Sequence, residues 1–374
     1  MKRESFGSFL TLDNRGERIR LFIPPKPPIS SDLSFSAEQR KSLSNTVFKL
    51  GRLHGTAEIS QLTRNLAVLS KIREFSYSTT EETARSEIFD FFVGFSREVG
   101  QPEGYSDSSL RRSISAFDRC SEILSGKNSE NGNFWTDLEA ELRFEWEAEG
   151  KSVGFIGRGS NFLNTPSPPP EKIVEGLKSL HDHIFRNRLQ LDPLDSVGIF
   201  MGAILMLNAY QGETILVARI VSLALLKRAG LMDHSVINIG RVLEARRHQI
   251  TEAMSRLRND GDWEEWIAEF AEILSQAAEE TSRFNQQITD LYLGDRDKVA
   301  SLGRPAESIH RILEILIEFP VTNSNFLVQK TGLTPATVNK SLQHLSDLGI
   351  IHELTSQRRN RIFRYTAVLD LLSN

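Results

Sequence analysis

The sequence predicts a mainly α-helical protein with a smaller C-terminal module of short helices and a β-hairpin. Apolar residues recur at helical spacing over most of the 374 residues, and strand-like alternation is confined to short stretches. The Gly-Arg-Pro sequence at 303–305 interrupts the helical pattern and marks a boundary. We predict an N-terminal arm with short strands and a Pro-rich linker (1–34), an N-terminal helical region (35–140), a helical core (141–302) and the C-terminal module (303–374).

The composition is that of an ordinary globular protein. A net charge of -4 with 25% charged residues implies no general attraction to nucleic acid or to a membrane. The single cysteine, Cys120, excludes an internal disulfide and a Cys-based zinc site, and we expect a buried, inert thiol. The N-terminal residues lack the apolar run of a signal peptide, and the most apolar segment, 197–207, is too short to span a bilayer. We therefore expect a cytoplasmic protein with no membrane partner.

The N-terminal half begins with an arm and continues with helices. Residues 8–23 alternate as one or two strands, and the Pro-rich stretch 24–28 forms an extended linker. Helical spacing runs from about 36 to 94 and again over 110–124. Aromatic and β-branched residues separated by glycines at 142–162 predict a hairpin with a flexible tip.

Long helical patterns follow the proline-rich stop at 166–170. His181 and His183 lie two residues apart on the first of these helices, so they face different directions and do not form a metal pair; we expect both to be solvated. No histidine lies near a cysteine or paired acids at ligand spacing, and we predict no metal site. The predicted helices span 173–186, 193–208, 214–228, 236–259 and 263–293.

The C-terminal module has the pattern of a winged helix-turn-helix. Gly332 and Gly349 end the second and third of its short helices, and two alternating strands flank a basic tip. The predicted helices are 306–319, 323–331 and 334–348, and the strands are 351–354 and 361–365.

The third helix and the basic tip carry the candidate DNA-binding residues. Val338, Leu342 and Leu345 form its buried stripe, which leaves polar residues to face outward. The alternatives are a protein-interaction or dimerisation module with a merely solvated hairpin. The DNA-binding candidates are Thr337, Asn339, Lys340, Arg358, Arg359 and Arg361, and Thr334, Ser341 and His344 are also expected on the exposed face.

Three stretches, taken in order, resemble the Fic family, which transfers AMP from ATP to a protein hydroxyl. Residues 155–172, which include Phe155, Ile156 and Gly157, are similar to the family's flap hairpin and proline-rich helix entry. Residues 241–266 resemble the helix pair that follows its active site, and a winged helix is often appended to bacterial members. The resemblance implies a Fic/Fido-like helical core whose flap docks a protein segment by strand addition.

The segment 208–219 stands where the family carries His-x-Phe-x-(Asp/Glu)-Gly-Asn-Gly-Arg-x-x-Arg. In the family the histidine is the general base, the acid holds magnesium, and the glycines and arginines bind phosphates. Here Asn208 replaces the base, Gly212 replaces the acid, and Ile215-Leu216 replace the cradle. Only Tyr210 and Arg219 match, and shifting the alignment by one residue recovers no other functional group.

A second stretch, 70–75, resembles the family's inhibitory helix, Ser/Thr-x-x-x-Glu-Gly/Asn, with Phe75 at the small-residue position. The resemblance implies that Glu74 pairs with Arg219 as a structural tie. The alternative is an unrelated glutamate on a solvated helix face.

These observations predict a Fic-like pseudoenzyme, inactive in AMP transfer, that acts by binding. Its expected partners are a protein at the flap groove, DNA at the winged helix and a second copy in a homodimer. It needs no cofactor on this interpretation. The alternative is a divergent nucleotidyltransferase that uses Tyr210, Glu213 and Arg219 with ATP and magnesium.

Overall fold

A computed structural model confirms that the protein is mainly α-helical with small antiparallel sheets. The chain forms two compact units, each built from three segments: Met1–Arg52, Ser115–Asp233 and Ile239–Ala278 in the first, and Leu53–Ile114, His234–Asn238 and Glu279–Asn374 in the second. The structure describes residues 7–14, 17–24, 33–55, 61–76, 81–98, 108–126, 134–142, 168–185, 191–210, 213–232, 236–355 and 361–373.

The first unit contains the N-terminal hairpin and most of the central helices. Strands β1 and β2 pair antiparallel with Ser8 opposite Ile23 and Asn14 opposite Glu17. The elements are β1 (Ser8–Asn14), β2 (Glu17–Ile23), α1 (Ala37–Gly55), α4 (Ser109–Ser125), α5 (Phe134–Leu142), α6 (Pro170–Phe185), α7 (Pro193–Leu207), α8 (Thr214–Arg228), α9 (Ile239–Ala245), α10 (Arg247–Asp260) and α11 (Trp263–Ala300), of which α1, α4 and α11 extend into the second unit.

The second unit contains two further N-terminal helices and the C-terminal elements. Its three-stranded antiparallel sheet has the order β3-β5-β4. The three predicted helices and two predicted strands of the C-terminal module are present, and β3 and α15 are additional. The elements are α2 (Gln61–Phe75), α3 (Glu81–Glu98), α12 (Ala306–Glu318), β3 (Val321–Asn323), α13 (Ser324–Thr331), α14 (Pro335–Asp347), β4 (His352–Glu353), β5 (Ile362–Arg364) and α15 (Thr366–Ser373).

Helix α7 forms the centre of the first unit. It packs against α6, α8 and α10, which explains why it is apolar on every side rather than on one stripe. The indole N–H of Trp266 on α11 donates to the Gly198 carbonyl at 2.8 Å. A Cβ at Gly202 would lie 2.5 Å from the same indole nitrogen, so this close packing requires glycine.

His183 is buried, and the prediction that it is solvated is wrong. Its Nε2 lies 3.1 Å from the Ser196 carbonyl oxygen and 3.3 Å from the Ser196 hydroxyl. Because a carbonyl oxygen only accepts, Nε2 carries the proton and donates it there. Burial is the main cause that lowers the pKa of His183, with the nearby Arg228 charge adding to it. Helix α6 therefore uses this histidine to hold the first turn of α7.

One predicted helix is divided in two in the structure, and two helices of the structure were not predicted. The helix predicted over 236–259 is divided into α9 and α10, because Arg246 leaves helical geometry at φ -100° and ψ 17°. Its guanidinium donates two 2.8 Å hydrogen bonds to Glu269 of α11, which holds the break in place. Helices α5 and α15 were not predicted at all. The hairpin predicted at 142–162 lies outside the described residues except for Leu142, which ends α5.

In the second unit, the C-terminal elements pack against α2, α3 and the end of α11. Helix α2 contacts α12, where the Asn65 side-chain amide donates to the Glu314 carbonyl at 2.9 Å. Helix α3 contacts β3 and α15. The Tyr365 hydroxyl donates to the buried carboxylate of Asp295 on α11. These contacts leave the outer face of α14 exposed.

Candidate functional sites

The segment 208–219 contains the connection between α7 and α8, of which residues 211 and 212 lie outside the described part of the chain. Asn208 ends α7 in the left-handed conformation, at φ 44° and ψ 48°, and its N–H donates to the Ile204 carbonyl at 3.1 Å. Among the described residues it is the only non-glycine residue with positive φ. Asparagine tolerates this conformation better than most side chains, so its role at position 208 is explained by helix termination.

The hydroxyl of Thr214, at the start of α8, forms hydrogen bonds to Asn208 and Tyr210, which follow the end of α7. It shares its proton between the Tyr210 carbonyl at 2.6 Å and the Asn208 side-chain oxygen at 3.2 Å. It also accepts the Tyr210 backbone N–H at 3.1 Å. Polar groups that could face a ligand at this point therefore bond to one another.

Tyr210 is buried beside Glu139 of α5. Burial raises the pKa of Tyr210 strongly, and the Glu139 charge raises it further. Burial likewise raises the pKa of Glu139. These shifts keep the phenol of Tyr210 in its neutral form near neutral pH.

The remaining motif positions lie on α8. Glu213 is exposed at its N-terminal cap, Ile215 and Leu216 are half-buried, and Gly212 lies outside the described residues. Arg219 is buried, and its guanidinium lies against Gly240 of α9, where an added Cβ would be 2.7 Å from one guanidinium nitrogen. Gly240 thus provides the space that Arg219 occupies.

The inhibitory-helix-like stretch is the C-terminal part of α2. Glu74 is fully buried, so the alternative of a solvated glutamate is wrong. The Asn238 side-chain amide donates to the Ser70 carbonyl at 3.0 Å, and the Asn238 backbone N–H donates to Thr281 at 3.0 Å. Glu74 and Arg219 belong to different units, and their pairing stays a prediction.

The flap residues Phe155, Ile156 and Gly157 lie outside the described residues, as do Arg358 and Arg359.

The DNA-binding candidates on α14 differ in accessibility. Asn339 and Lys340 are exposed. The Thr334 hydroxyl caps α14 by accepting the Thr337 N–H at 3.2 Å, and the two hydroxyls are 2.9 Å apart, so Thr337 serves the helix start. Ser341 is buried, 3.3 Å from the Ser308 hydroxyl, and its predicted exposure is wrong.

Arg361 is already engaged, because it donates to the Glu353 carboxylate across the hairpin. Sequence reasoning missed the exposed Gln343 on α14, whereas it placed Arg364, which is exposed on β5, close to the basic tip. The i, i+4 spacing of Gln343 from Asn339 was the available signal. From 335 to 365 the basic residues exceed the acidic ones: Lys340, Arg358, Arg359, Arg361 and Arg364 against Asp347 and Glu353.

Several solved structures are similar to this chain. No family model and no curated protein matches the sequence. A solved structure of a Fic family protein from Desulfovibrio desulfuricans G20 is similar, with a TM-score of 0.46 and 13% identity. The match covers 89% of this chain and 97% of that chain. Within the described parts of the chain, no helix has both the length and the apolar character needed to cross a bilayer.

Proposed function

We propose that this chain is a Fic-like pseudoenzyme, inactive in AMP transfer, that acts as a binding or regulatory protein. The observation that carries the proposal is the hydrogen bonding between the described ends of this connection, where the Thr214 hydroxyl bonds to both Asn208 and Tyr210. A loop that binds nucleotide phosphates presents backbone N–H groups outward. Here the N–H groups of Glu213 and Thr214, at the start of α8, donate to the Tyr210 carbonyl at 3.1 and 2.9 Å.

The side chains at this loop support the same proposal. An asparagine amide does not accept a proton at any useful pH, so Asn208 is no general base. Ile215 and Leu216 stand where a phosphate cradle would need a glycine and an arginine, and their aliphatic side chains offer no hydrogen bond to an oxyanion. Three separate elements of the transfer chemistry are therefore missing together.

Incubation with labelled ATP and magnesium, and with other nucleotide donors, tests this proposal through self-labelling. We expect no incorporation by the wild type, and none by Asn208→His, because restoring the base leaves the cradle absent. Incorporation that is lost in Glu213→Gln but kept in Glu307→Gln, an exposed acid on α12, would establish the divergent transferase instead.

We further propose that residues 303–374 form a winged helix that binds duplex DNA. The exposed Asn339 and Lys340 on α14 and the excess of basic residues over 335–365 support this.

A protein partner at the flap groove and assembly as a homodimer complete the proposal. Both are tested by affinity capture with a flap-substituted control and by light scattering of the purified chain.

DNA binding is tested by titrating a duplex at several salt concentrations. Replacing Lys340, Arg358 and Arg359 with alanine is expected to weaken binding and flatten its salt dependence. Each lost phosphate contact lowers the slope of log K against log salt by about 0.9. Alanine at the exposed basic residues Lys172, Arg247 and Arg256 is the control for net charge. No wild-type binding at low salt would end this part of the proposal.

A further inference from the structure

The exposed face of α14 carries two carboxamide side chains, Asn339 and Gln343. Residues four apart lie one above the other on a helix, about 6 Å apart along its axis at 1.5 Å per residue. In a helix that reads the major groove, residues three or four apart contact successive base pairs, so the two amides are placed to meet neighbouring base pairs. The buried stripe of Val338, Leu342 and Leu345 fixes this face outward.

The Gln343 amide is held in one orientation. Its Nε2 donates to Oδ1 of Asp347 at 2.8 Å, one further turn along α14. A primary amide nitrogen has two protons, so a second proton and the amide oxygen stay available to a ligand. The Gln343 amide therefore presents a donor and an acceptor in a fixed orientation. Asp347 acts as the positioning residue for this amide.

A carboxamide matches one base edge in the major groove. Adenine presents N7 as an acceptor and its N6 amino group as a donor, and asparagine or glutamine bonds to both at once. Guanine presents two acceptors at the same positions, which suits arginine or lysine instead. The chemistry of this face thus favours A·T pairs.

The positively charged side chains near this face have different roles. Lys340 is exposed next to Asn339, and Arg364 is exposed on β5 opposite His352 of β4. Arg361, in contrast, is held by Glu353. Lys340 and Arg364 are therefore suited to phosphates, whereas Arg361 stabilises the hairpin.

We propose that Asn339 and Gln343 are the specificity-determining residues of the DNA-binding face and that each reads an adenine in the major groove, at neighbouring base pairs. This inference rests on the proposed DNA binding. Discrimination against the wrong base is expected to be roughly 5- to 150-fold at each position, from about 1–3 kcal/mol per bidentate contact.

Selection of binding sites from a randomised duplex library tests the proposal on the full-length chain. The wild type is expected to enrich two neighbouring A·T pairs. Asn339→Ala should lose the preference at one position, and Gln343→Ala and Asp347→Ala should lose it at the other. Lys340→Ala is the control: its affinity should fall for all sequences, with a slope smaller by about 0.9 and the preference intact.

A second measurement separates base reading from a general loss of affinity. Substitution of 7-deazaadenine at a selected position removes the N7 acceptor, which should weaken wild-type binding and leave the matching alanine variant unchanged. Duplex binding by the wild type without A·T enrichment, or with equal affinity for A-form RNA of the same sequence, would overturn the adenine inference alone. Failure to bind any duplex would instead overturn the DNA-binding proposal itself.

Discussion

The guanidinium of Arg219 lies against the backbone of Gly240, at a distance that leaves no room for a methyl group. A Cβ at position 240 would be 2.7 Å from one guanidinium nitrogen and 2.8 Å from its central carbon. Arg219 is thus held by packing within its own unit.

Gly240→Ala is expected to lower the free energy of unfolding by about 1–3 kcal/mol, because overpacking displaces a buried side chain. Chemical denaturation measures the change. Gly294→Ala is the matched control: Gly294 lies in α11 with open space around its Cα, so alanine should stabilise that helix by up to about 1 kcal/mol.

A double-mutant cycle identifies Arg219 as the obstructing group. In an Arg219→Ala background, Gly240→Ala should become neutral or stabilising, because the methyl group then has room. An equal loss of stability in both backgrounds would show that some other contact fills the space at Gly240.

Gly202→Ala is expected to destabilise the first unit by about 1–3 kcal/mol, since the new methyl group would meet the indole of Trp266. Displacing this ring also breaks its 2.8 Å hydrogen bond to Gly198. The control is Gly51→Ala on α1, where no atom lies within 4 Å. If thermal unfolding shows the two variants to be alike, the α7 to α11 packing described above is incorrect.

Thr214→Val should cost about 1–3 kcal/mol, because it leaves the buried Tyr210 N–H without its hydroxyl acceptor while keeping the side-chain volume. Thr214→Ser retains the hydroxyl and should cost clearly less. Unfolding in urea compares the two. A Val variant as stable as the Ser variant would show that the hydroxyl network does not hold the loop closed.

Asp195, in the first turn of α7, is expected to make stability depend on pH. Burial, with help from the Asp192 charge and against the Arg40 charge, raises the pKa of Asp195 from 3.8 to about 6. Between these values the folded chain binds more protons than the unfolded chain, so the free energy of unfolding falls as pH rises through this window.

Asp195→Asn should therefore be more stable than the wild type at pH 7 and above, by on the order of 1–3 kcal/mol, and should lose this part of the pH dependence. Urea midpoints from pH 4 to 8 measure it. Glu307→Gln, which removes an exposed acid from the first turn of α12, should change stability slightly in the opposite direction. Parallel pH profiles for Asp195→Asn and wild type would contradict the burial argument.

Local patterns predicted the helices with strong terminal signals. Helix α8 spans Thr214–Arg228 as predicted, and α14 begins one residue after Thr334, where a threonine cap precedes proline. Helix α5 was missed although Phe134, Leu138 and Leu142 recur every four residues and are buried. That signal was present, but it covers only nine residues.

Exposure of single polar residues was harder to predict, because it depends on what another element supplies. Ser341 lies beside the buried stripe of α14 and is covered because Ser308 of α12 offers a hydroxyl. His183 is buried because the Ser196 carbonyl accepts its proton. Neither partner can be inferred from helical spacing within one element.

The amino-acid sequence alone determined that this protein is mainly helical, that positions 208, 212 and 215–216 carry no histidine, no carboxylate and no glycine or arginine respectively, and that basic residues outnumber acidic ones over 335–365. Those properties depend on residue identity and local spacing. Tertiary structure decided that Thr214 closes the loop, that Gly240 makes room for Arg219, and that Arg361 is occupied by Glu353. Such contacts join residues by three-dimensional distance, which spacing along one helix or strand does not encode.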